Sequence, residues 1–128
     1  MKLDSIGRYA PSVTRIAISL VFLWFGINQL FLPENFLGYL PKFLLELGFA
    51  KTVVMFNGIG EIILAGCLLA GFLIRPVSLL LSIHLLSIII SLGYGDIAVR
   101  DFGLMIVTFA VFLGGADLWS IDYRKRKM

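Results

Sequence analysis

Glu61 is the residue whose type and position point most directly to chemistry. It lies in the middle of the apolar segment GIGEIILAG, where a carboxylate surrounded by hydrocarbon costs several kcal/mol unless it is paired or protonated. An ionisable side chain at such a depth is typical of ligand sites and proton relays, and also of polar contacts that hold helices together. We therefore expect Glu61 to face the interior of a helix bundle and to have polar partners.

Polar residues on neighbouring apolar segments are the candidate partners of Glu61. Asn57 precedes it by one helical turn and so shares its helix face. At a rise of about 1.5 Å per residue, Glu61 lies roughly 16–20 Å from the inner face, Asn28 about 22 Å and His84 about 12 Å, within the outer two-thirds of the membrane. Only one of Asn28 and Gln29 can point straight at the second helix. The predicted cluster contains Asn28, Asn57, Glu61 and His84.

Charged residues at the ends of the apolar segments complete the candidate site. Arg100 and Asp101 open the last segment, and an extended Arg100 would reach toward Glu61 and compensate its charge. At the other end of that segment, Asp117 lies within reach of Arg15 or the basic tail, and Arg15 is expected to extend to the membrane surface. The candidate ligand or proton site therefore comprises Asn28, Asn57, Glu61, His84, Arg100 and Asp101.

The sequence contains one cysteine and one histidine, which excludes several kinds of site. Cys67 alone cannot form an intrachain disulfide, a CxxC pair or a multi-cysteine metal site, and is expected to be a small apolar packing residue. His84 alone excludes a two-histidine haem site within one chain. No catalytic residue, metal site or covalently bound cofactor is predicted, and the sequence leaves open whether the chain is an enzyme.

The composition indicates the environment of these residues. Of the 128 residues, 59% are hydrophobic and 15% are charged, against about 25% charged in soluble domains. A soluble domain this small has too much surface to hide so many apolar side chains, which argues against a soluble enzyme, a disordered chain and a disulfide scaffold. Four apolar stretches of about 20 residues predict a single membrane domain, 1–128, with spans at 13–32, 52–74, 76–94 and 102–119.

The distribution of lysine and arginine predicts the orientation of the four spans. Both termini and the connection between spans two and three share one side, which carries eight of the 11 basic residues; the other side carries Lys42, Lys51 and Arg100. By the positive-inside rule the first side is cytoplasmic, and the net charge of +3 marks loops rather than nucleic-acid binding. The basic tail, 120–128, is expected to lie near anionic lipid head groups.

A long connection, 33–51, joins the first two spans. Its apolar residues recur at helical spacing and Pro41 divides it, so a second short helix is predicted from Pro41 to Gly48. The segment is too short to cross a bilayer and is expected to lie in the interface or to fold over the mouth of the bundle. The predicted fold is an all-α integral membrane bundle of four transmembrane helices, with this short interfacial helical segment between helices 1 and 2.

Four sequence motifs resemble a known family in their order and spacing. They are RIAISLVFLWFGINQL at 15–30, GIGEIILAGCLLAGFLIRP at 58–76, DIAVRDFGL at 96–104 and Ser-Ile-Asp at 120–122. The set resembles the DoxX family of small four-helix membrane proteins. The chain departs from that family at 115–117, which reads Gly-Ala-Asp where many relatives have Gly-Pro-Gly, and at Gln29, near which relatives often carry a charged residue.

The resemblance implies a multi-pass protein of the prokaryotic cytoplasmic membrane, with roles for Glu61, Arg100 and Asp101. One branch of the family is linked to thiosulfate:quinone oxidoreductase and a terminal quinol oxidase, and others to oxidative-stress complexes. The leading hypothesis is an accessory or anchoring subunit of a quinone-linked redox system, with a quinone near Glu61. A lipid or small-molecule carrier or channel and a purely structural scaffold are the alternatives. Expected partners are the bilayer, a redox subunit and further copies of the chain, but no nucleic acid.

Overall fold

The computed structural model describes residues 3–40 and 42–127, and within these ranges the chain is helical without a β-strand. The α-helices are α1 (Leu3–Ile6), α2 (Ala10–Phe31), α3 (Lys42–Glu46), α4 (Ala50–Ala70), α5 (Ile74–Leu92), α6 (Asp96–Gly114) and α7 (Ile121–Lys127), and 3₁₀ helices cover Gly7–Tyr9 and Pro33–Tyr39. Four helices are long and apolar enough to cross a membrane: Gly7–Phe31, Ala50–Ala70, Ile74–Ser91 and Asp96–Gly114. The predicted all-α bundle with four spans is confirmed.

The long helices are arranged as two antiparallel pairs. α2 packs most extensively on α4, and α5 on α6, whereas α2 meets α6 and α4 meets α5 along smaller contacts. Successive long helices alternate in direction, so both chain termini and the α4–α5 turn lie at one end of the bundle, the terminal end. The opposite end, the distal end, carries the α2–α4 and α5–α6 connections.

Apolar side chains divide into a packed core and an outward-facing surface. The surface includes Phe31 and Ile90, which are 74% and 73% exposed. An outer surface with so many apolar side chains is suited to lipid tails rather than to water, because monomeric soluble proteins rarely expose large contiguous apolar patches. The core consists of the buried residues Ile18, Phe22, Ala65, Leu68, Ile74, Val77, Leu81, Leu85 and Val111.

Two glycines allow α2 and α4 to approach closely. A Cβ atom on Gly58 would lie 2.7 Å from the carbonyl oxygen of Gly26 and 2.9 Å from the Cβ of Gln29. Small residues at a crossing let helix backbones come near enough for extensive van der Waals contact. This crossing also fixes the height of Gln29 against α4.

The turn between α4 and α5 differs from the predicted span limits. α4 ends at Ala70 rather than at 74, because Gly71 adopts a left-handed conformation with φ of 79° and stops the helix. α5 begins at Ile74 rather than at 76, since Pro76 falls in the first helical turn, where its missing N–H costs no hydrogen bond.

The last long helix is displaced relative to its predicted span. α6 runs from Asp96 to Gly114 rather than from 102 to 119. Arg100 and Asp101 therefore lie inside the helix, in its second turn, instead of above it. The polar residues 96, 100 and 101 are accommodated because they lie in the first turns, close to the distal end.

A buried ion pair joins three parts of the chain at the terminal end. Arg15 Nε donates to Asp117 Oδ2 at 2.7 Å, and Ser12 Oγ donates to Asp117 Oδ1 at 2.6 Å. Arg15 Nη1 donates to the carbonyl oxygens of Leu68 and Leu69 at 2.8 and 2.6 Å, in the last turn of α4, where helical carbonyls lack intrahelical partners. Of the two partners that the sequence offers Asp117, the basic tail and Arg15, the structure shows Arg15. The expected extension of Arg15 to the membrane surface is wrong, because these acceptors hold its side chain inside, 1% exposed.

The C-terminal helix α7 is fastened to the α4–α5 turn. The Asp122 carboxylate accepts hydrogen bonds from the backbone N–H groups of Leu73 and Ile74, at 3.0 and 2.8 Å, and so caps the N-terminus of α5. Lys125 Nζ lies 4.5 Å from the centroid of the Phe72 ring. The position of this tail near lipid head groups stays a prediction.

The connection between α2 and α4 contains the 3₁₀ helix Pro33–Tyr39 and the short helix α3. α3 lies within the predicted helix 41–48, whose first residue, Pro41, lies outside the described residues. The ring of Phe36 packs edge-on against Phe25 of α2, with centroids 6.2 Å apart. This contact holds part of the connection against the distal end of the bundle, and its location at a membrane interface stays a prediction.

Candidate functional site

Glu61 lies inside the bundle and has hydrogen-bond partners on three helices. Its side chain is 5% exposed. Gln29 Nε2 of α2 donates to Oε2 at 3.1 Å, and His84 Nε2 of α5 lies 2.9 Å from Oε1. Asn57 Nδ2, one turn away on α4, lies 3.4 Å from Oε1. A buried carboxylate is thereby surrounded by groups that donate hydrogen bonds, which removes most of the cost of burying it.

The two amide side chains also hold each other. Asn57 Nδ2 donates to Gln29 Oε1 at 2.6 Å, while the Nε2 group of Gln29 faces Glu61. Each amide therefore serves as donor, and Gln29 also as acceptor, in one connected network. Such a network fixes the orientation of its members better than isolated hydrogen bonds would.

Asn28, predicted as a member of this cluster, lies outside it. Its Nδ2 group donates to the backbone carbonyl of Trp24 at 2.7 Å, on an exposed part of α2. Gln29 takes its place, because successive helical residues point about 100° apart and only one of the two can face α4.

The signal that identifies Gln29 is the spacing of the buried residues of α2. Buried positions recur at alternating steps of three and four residues, which is the pattern of one helix face. Gln29 continues that pattern and Asn28 does not. The buried residues that follow this spacing are Ser12, Arg15, Ser19, Phe22, Gly26 and Gln29, and Ile18 beside them is buried as well.

A cavity of about 280 Å³ opens in front of the Glu61 cluster, between the two helix pairs. Its size approaches the lower end of the range for small-molecule pockets, about 300–1,000 Å³. Phe22, Phe25, Val54, Leu85 and Leu104 are among its apolar lining residues. The polar lining residues are Gln29, Asn57, Glu61, His84, Ser87, Ser91, Arg100 and Asp101.

Arg100 and Asp101 line the distal part of this cavity. Arg100 Nη2 donates to Asp101 Oδ1 at 3.4 Å, and the guanidinium lies 5.8 Å from the centroid of the Phe25 ring. The side chain of Asp101 is 5% exposed. The expectation that Arg100 reaches toward Glu61 is not met, because Arg100 pairs with Asp101 while His84 pairs with Glu61.

Ser87 and Ser91 also line the cavity, although they are not among the site residues predicted from the sequence. Both follow His84 on α5, at three and seven residues, so all three share one helix face. Serines inside an apolar helix are common and usually bond to a backbone carbonyl, as Ser87 Oγ does to the carbonyl of His84 at 2.6 Å. Ser87 and Ser91 differ from such serines because they share a helix face with His84 and line the cavity with it.

The cluster is able to bind a polar head group and to hold a proton. The carboxylate of Glu61 and the imidazole of His84 lie within hydrogen-bond distance at 2.9 Å, and Gln29 and Asn57 orient the carboxylate. Within 3–40 and 42–127, no three His, Cys, Asp or Glu residues are placed to hold a metal ion. Cys67 is a free thiol that packs against the apolar core and does not line the cavity.

Comparison with known proteins identifies the family. The DoxX family model matches residues 10–93, which contain α2, α4 and α5 and with them Gln29, Asn57, Glu61 and His84. No match to this chain is found among curated proteins or among solved structures. With two thirds of its length matched in sequence and four apolar helices in its fold, this multi-pass membrane protein belongs to the DoxX family.

Proposed function

We propose that this chain is an accessory or membrane-anchoring subunit of a quinone-linked redox system, and that its cavity receives the quinone head group. The observation that carries the proposal is the buried carboxylate of Glu61, paired with the imidazole of His84 at the polar end of a cavity with apolar walls. Molecules with an apolar body and a hydrogen-bonding head suit such a cavity. The association of DoxX proteins with redox systems, implied by the resemblance, supports the same reading.

The cavity residues fit a quinone in their chemistry. A quinone ring presents two carbonyl oxygens, and the amide N–H groups of Gln29 and Asn57 and the imidazole of His84 are suitable donors. Phe25 offers an apolar surface for the ring. A bound quinone would supply the electron-transfer chemistry, whereas the residues of the chain bind and orient it and exchange its protons at Glu61 and His84.

The partner and the orientation are part of this proposal. The sequence offers no ligand set for a redox centre of its own, so electrons would pass between the quinone and a partner subunit. The concentration of basic residues at the terminal end supports a location of both termini in the cytoplasm of a prokaryotic cell. The cavity then opens in the outer half of the cytoplasmic membrane.

Passage of a solute through the bundle is less well supported than binding within it. A continuous path would have to cross the terminal half, where Leu68 and Leu81 are fully buried and Arg15 is tied to Asp117. The cavity residues lie instead between the middle of the bundle and the distal end. A purely structural cluster would account for the hydrogen bonds of Glu61 but not for the cavity in front of it.

A matched pair of variants on α2 tests the proposal. In nanodiscs, Gln29→Leu should weaken binding of decylubiquinone about tenfold, because it removes an amide donor and leaves a buried quinone carbonyl unpaired, at a cost of about 1–3 kcal/mol. Asn28→Leu removes an amide from the adjacent residue, outside the cavity, and should leave the affinity unchanged.

Gln29→Leu and Asn28→Leu each remove one side-chain amide from α2. A difference in their affinity for decylubiquinone therefore depends on where that amide lies. Circular dichroism of each variant shows whether the helices are retained. Equal weakening by both variants, or no effect of Gln29→Leu on a folded protein, would count against a quinone site at this cluster.

A further inference from the structure

We infer that water and protons reach the Glu61–His84 pair from the distal end of the bundle, along the face of α5 that carries Ser87 and Ser91. The inference deepens the proposed function, because a pair that exchanges protons with a bound head group needs a connection to an aqueous phase. It names the side of the membrane to which that connection leads. Its evidence is the arrangement of the polar groups around the cavity.

Three polar side chains that line the cavity become more exposed from the cluster toward the distal end, whereas Asp101 is as buried as Glu61. The side chain of Glu61 is 5% exposed, that of His84 is 27% exposed and that of Arg100 is 51% exposed. Ser87 and Ser91, which line the same cavity, are exposed as well. The polar groups thus form a series that lines the cavity from the middle of the membrane domain toward its distal end.

The series is built by helix geometry. His84, Ser87 and Ser91 are spaced by three and four residues, so they form a polar stripe along one face of α5. Ile90 lies between the two serines in sequence but points away from the cavity, and it is 73% exposed. The cavity side of α5 thus carries these three polar residues together with the apolar Leu85 and Ile88.

The charged groups around the cavity come from three of the helices that enclose it. α4 contributes Glu61, α5 contributes His84, and α6 contributes Arg100 and Asp101. From α2 the neutral amide of Gln29 faces the carboxylate. The ion pair of α6 is thus the next charged group beyond His84 in the distal direction, where it favours hydration of the route.

The terminal half of the bundle holds a separate cavity of about 270 Å³ beside Asp117, which shares no lining residue with the cavity at Glu61. On the terminal side of the cluster, Ile18, Leu68 and Leu81 are at most 3% exposed. The polar groups farther along, Arg15 and Asp117, are committed to each other. A hydrated connection from the cluster to the terminal end would have to open this packed layer, at the cost of its dispersion contacts.

Cysteine labelling from each side of the membrane tests the route. The background is Cys67→Ala, and the variants are Ser87→Cys, Ser91→Cys and, as matched control, Ile90→Cys. Vesicles of known orientation are treated with a charged, membrane-impermeant methanethiosulfonate, which reacts with the hydrated thiolate and not with a thiol in lipid. Reagent added at the distal side should label both serine positions at least tenfold faster than position 90.

The side of labelling is the decisive readout. Reagent added at the terminal side should label neither serine position faster than position 90. Labelling of Ser87→Cys from the terminal side, or labelling no faster than at position 90 from either side, would overturn the inference.

The same vesicles separate this inference from the proposed function. Decylubiquinone should slow the labelling of Ser87→Cys if the quinone occupies the cavity. Fast distal labelling that decylubiquinone leaves unchanged would support the aqueous route and count against the quinone site.

Discussion

Asp117→Ala is expected to lower the free energy of unfolding by about 3–5 kcal/mol, because it leaves the guanidinium of Arg15 buried without its counter-charge. The side chains of Arg15 and Asp117 are 1% and 2% exposed, and Arg15 Nε and Nη2 both donate to the carboxylate, at 2.7 and 3.3 Å. Alanine at 117 removes these acceptors and also the acceptor for Ser12. Unfolding in mixed micelles with increasing SDS, followed by circular dichroism, measures the loss.

Two further variants show whether the loss comes from burial of an unpaired charge. Glu34→Ala breaks the ion pair between Glu34 and Lys51. Both side chains are more than half exposed, so this variant should change the free energy of unfolding little. The double variant Arg15→Met/Asp117→Leu removes both charges and should recover much of the stability lost in Asp117→Ala. A double variant as unstable as the single one would contradict this explanation.

The same ion pair gives the stability a defined pH dependence. Burial by itself raises the pKa of the Asp117 carboxyl, but hydrogen bonds from Arg15 and Ser12 and the charge of Arg15 outweigh it, so the pKa lies below the ordinary value of 3.8. The pair's contribution is therefore complete above pH 3.8 and is lost as the pH falls further, through the folded-state pKa. Asp117→Ala should flatten that part of the stability profile.

Gly58→Leu is expected to destabilise the bundle by about 2–3 kcal/mol and to abolish quinone binding, because no side chain fits at the α2–α4 crossing. Even a Cβ atom would lie 2.7 Å from the carbonyl oxygen of Gly26. Moving α2 away from α4 also separates Gln29 from Glu61, which now hydrogen-bond at 3.1 Å. SDS unfolding and a decylubiquinone titration measure the two effects.

Gly60 provides the matched control for this substitution. It lies in the same helix, and a Cβ atom there would meet nothing within 4 Å. Gly60→Leu carries the same change in side chain and helix propensity, and should keep both the stability and the affinity for decylubiquinone. Equal damage from both substitutions would show that the crossing is not the cause.

Glu61 illustrates what the sequence alone was able to predict. Length, composition and four apolar stretches predicted the bundle, since a membrane restricts an open chain to helices. The cost of a carboxylate in hydrocarbon required partners for Glu61, and counting residues along the helices located Asn57 and His84 at the correct height. Depth arithmetic is one-dimensional, however, and does not give the rotation of a helix about its axis. Depth alone favours Asn28 as a member of the Glu61 cluster. The rotation of α2 about its axis turns Gln29 toward Glu61 instead.

The partners of Arg15 and Arg100 are a second feature that the sequence does not determine. Both are long, flexible side chains near helix ends, and their partners depend on tertiary contacts that sequence spacing does not contain. Arg15 was expected at the surface but is held inside by Asp117 and by carbonyl oxygens of α4. Arg100 pairs with its neighbour Asp101, because α6 starts earlier than the apolar stretch and places both residues on its second turn.

The most direct test of a quinone site at Glu61 is the dissociation constant of decylubiquinone for the wild-type protein and for Glu61→Gln in nanodiscs. Glutamine keeps the size of the side chain but removes one of the two carboxylate oxygens that Gln29 and His84 contact, so we expect at least a tenfold weaker affinity. Glu46→Gln, which changes an exposed carboxylate on α3 outside the cavity, should match the wild type. Equal affinities for the wild type and Glu61→Gln, or no binding to the wild type, would contradict the account.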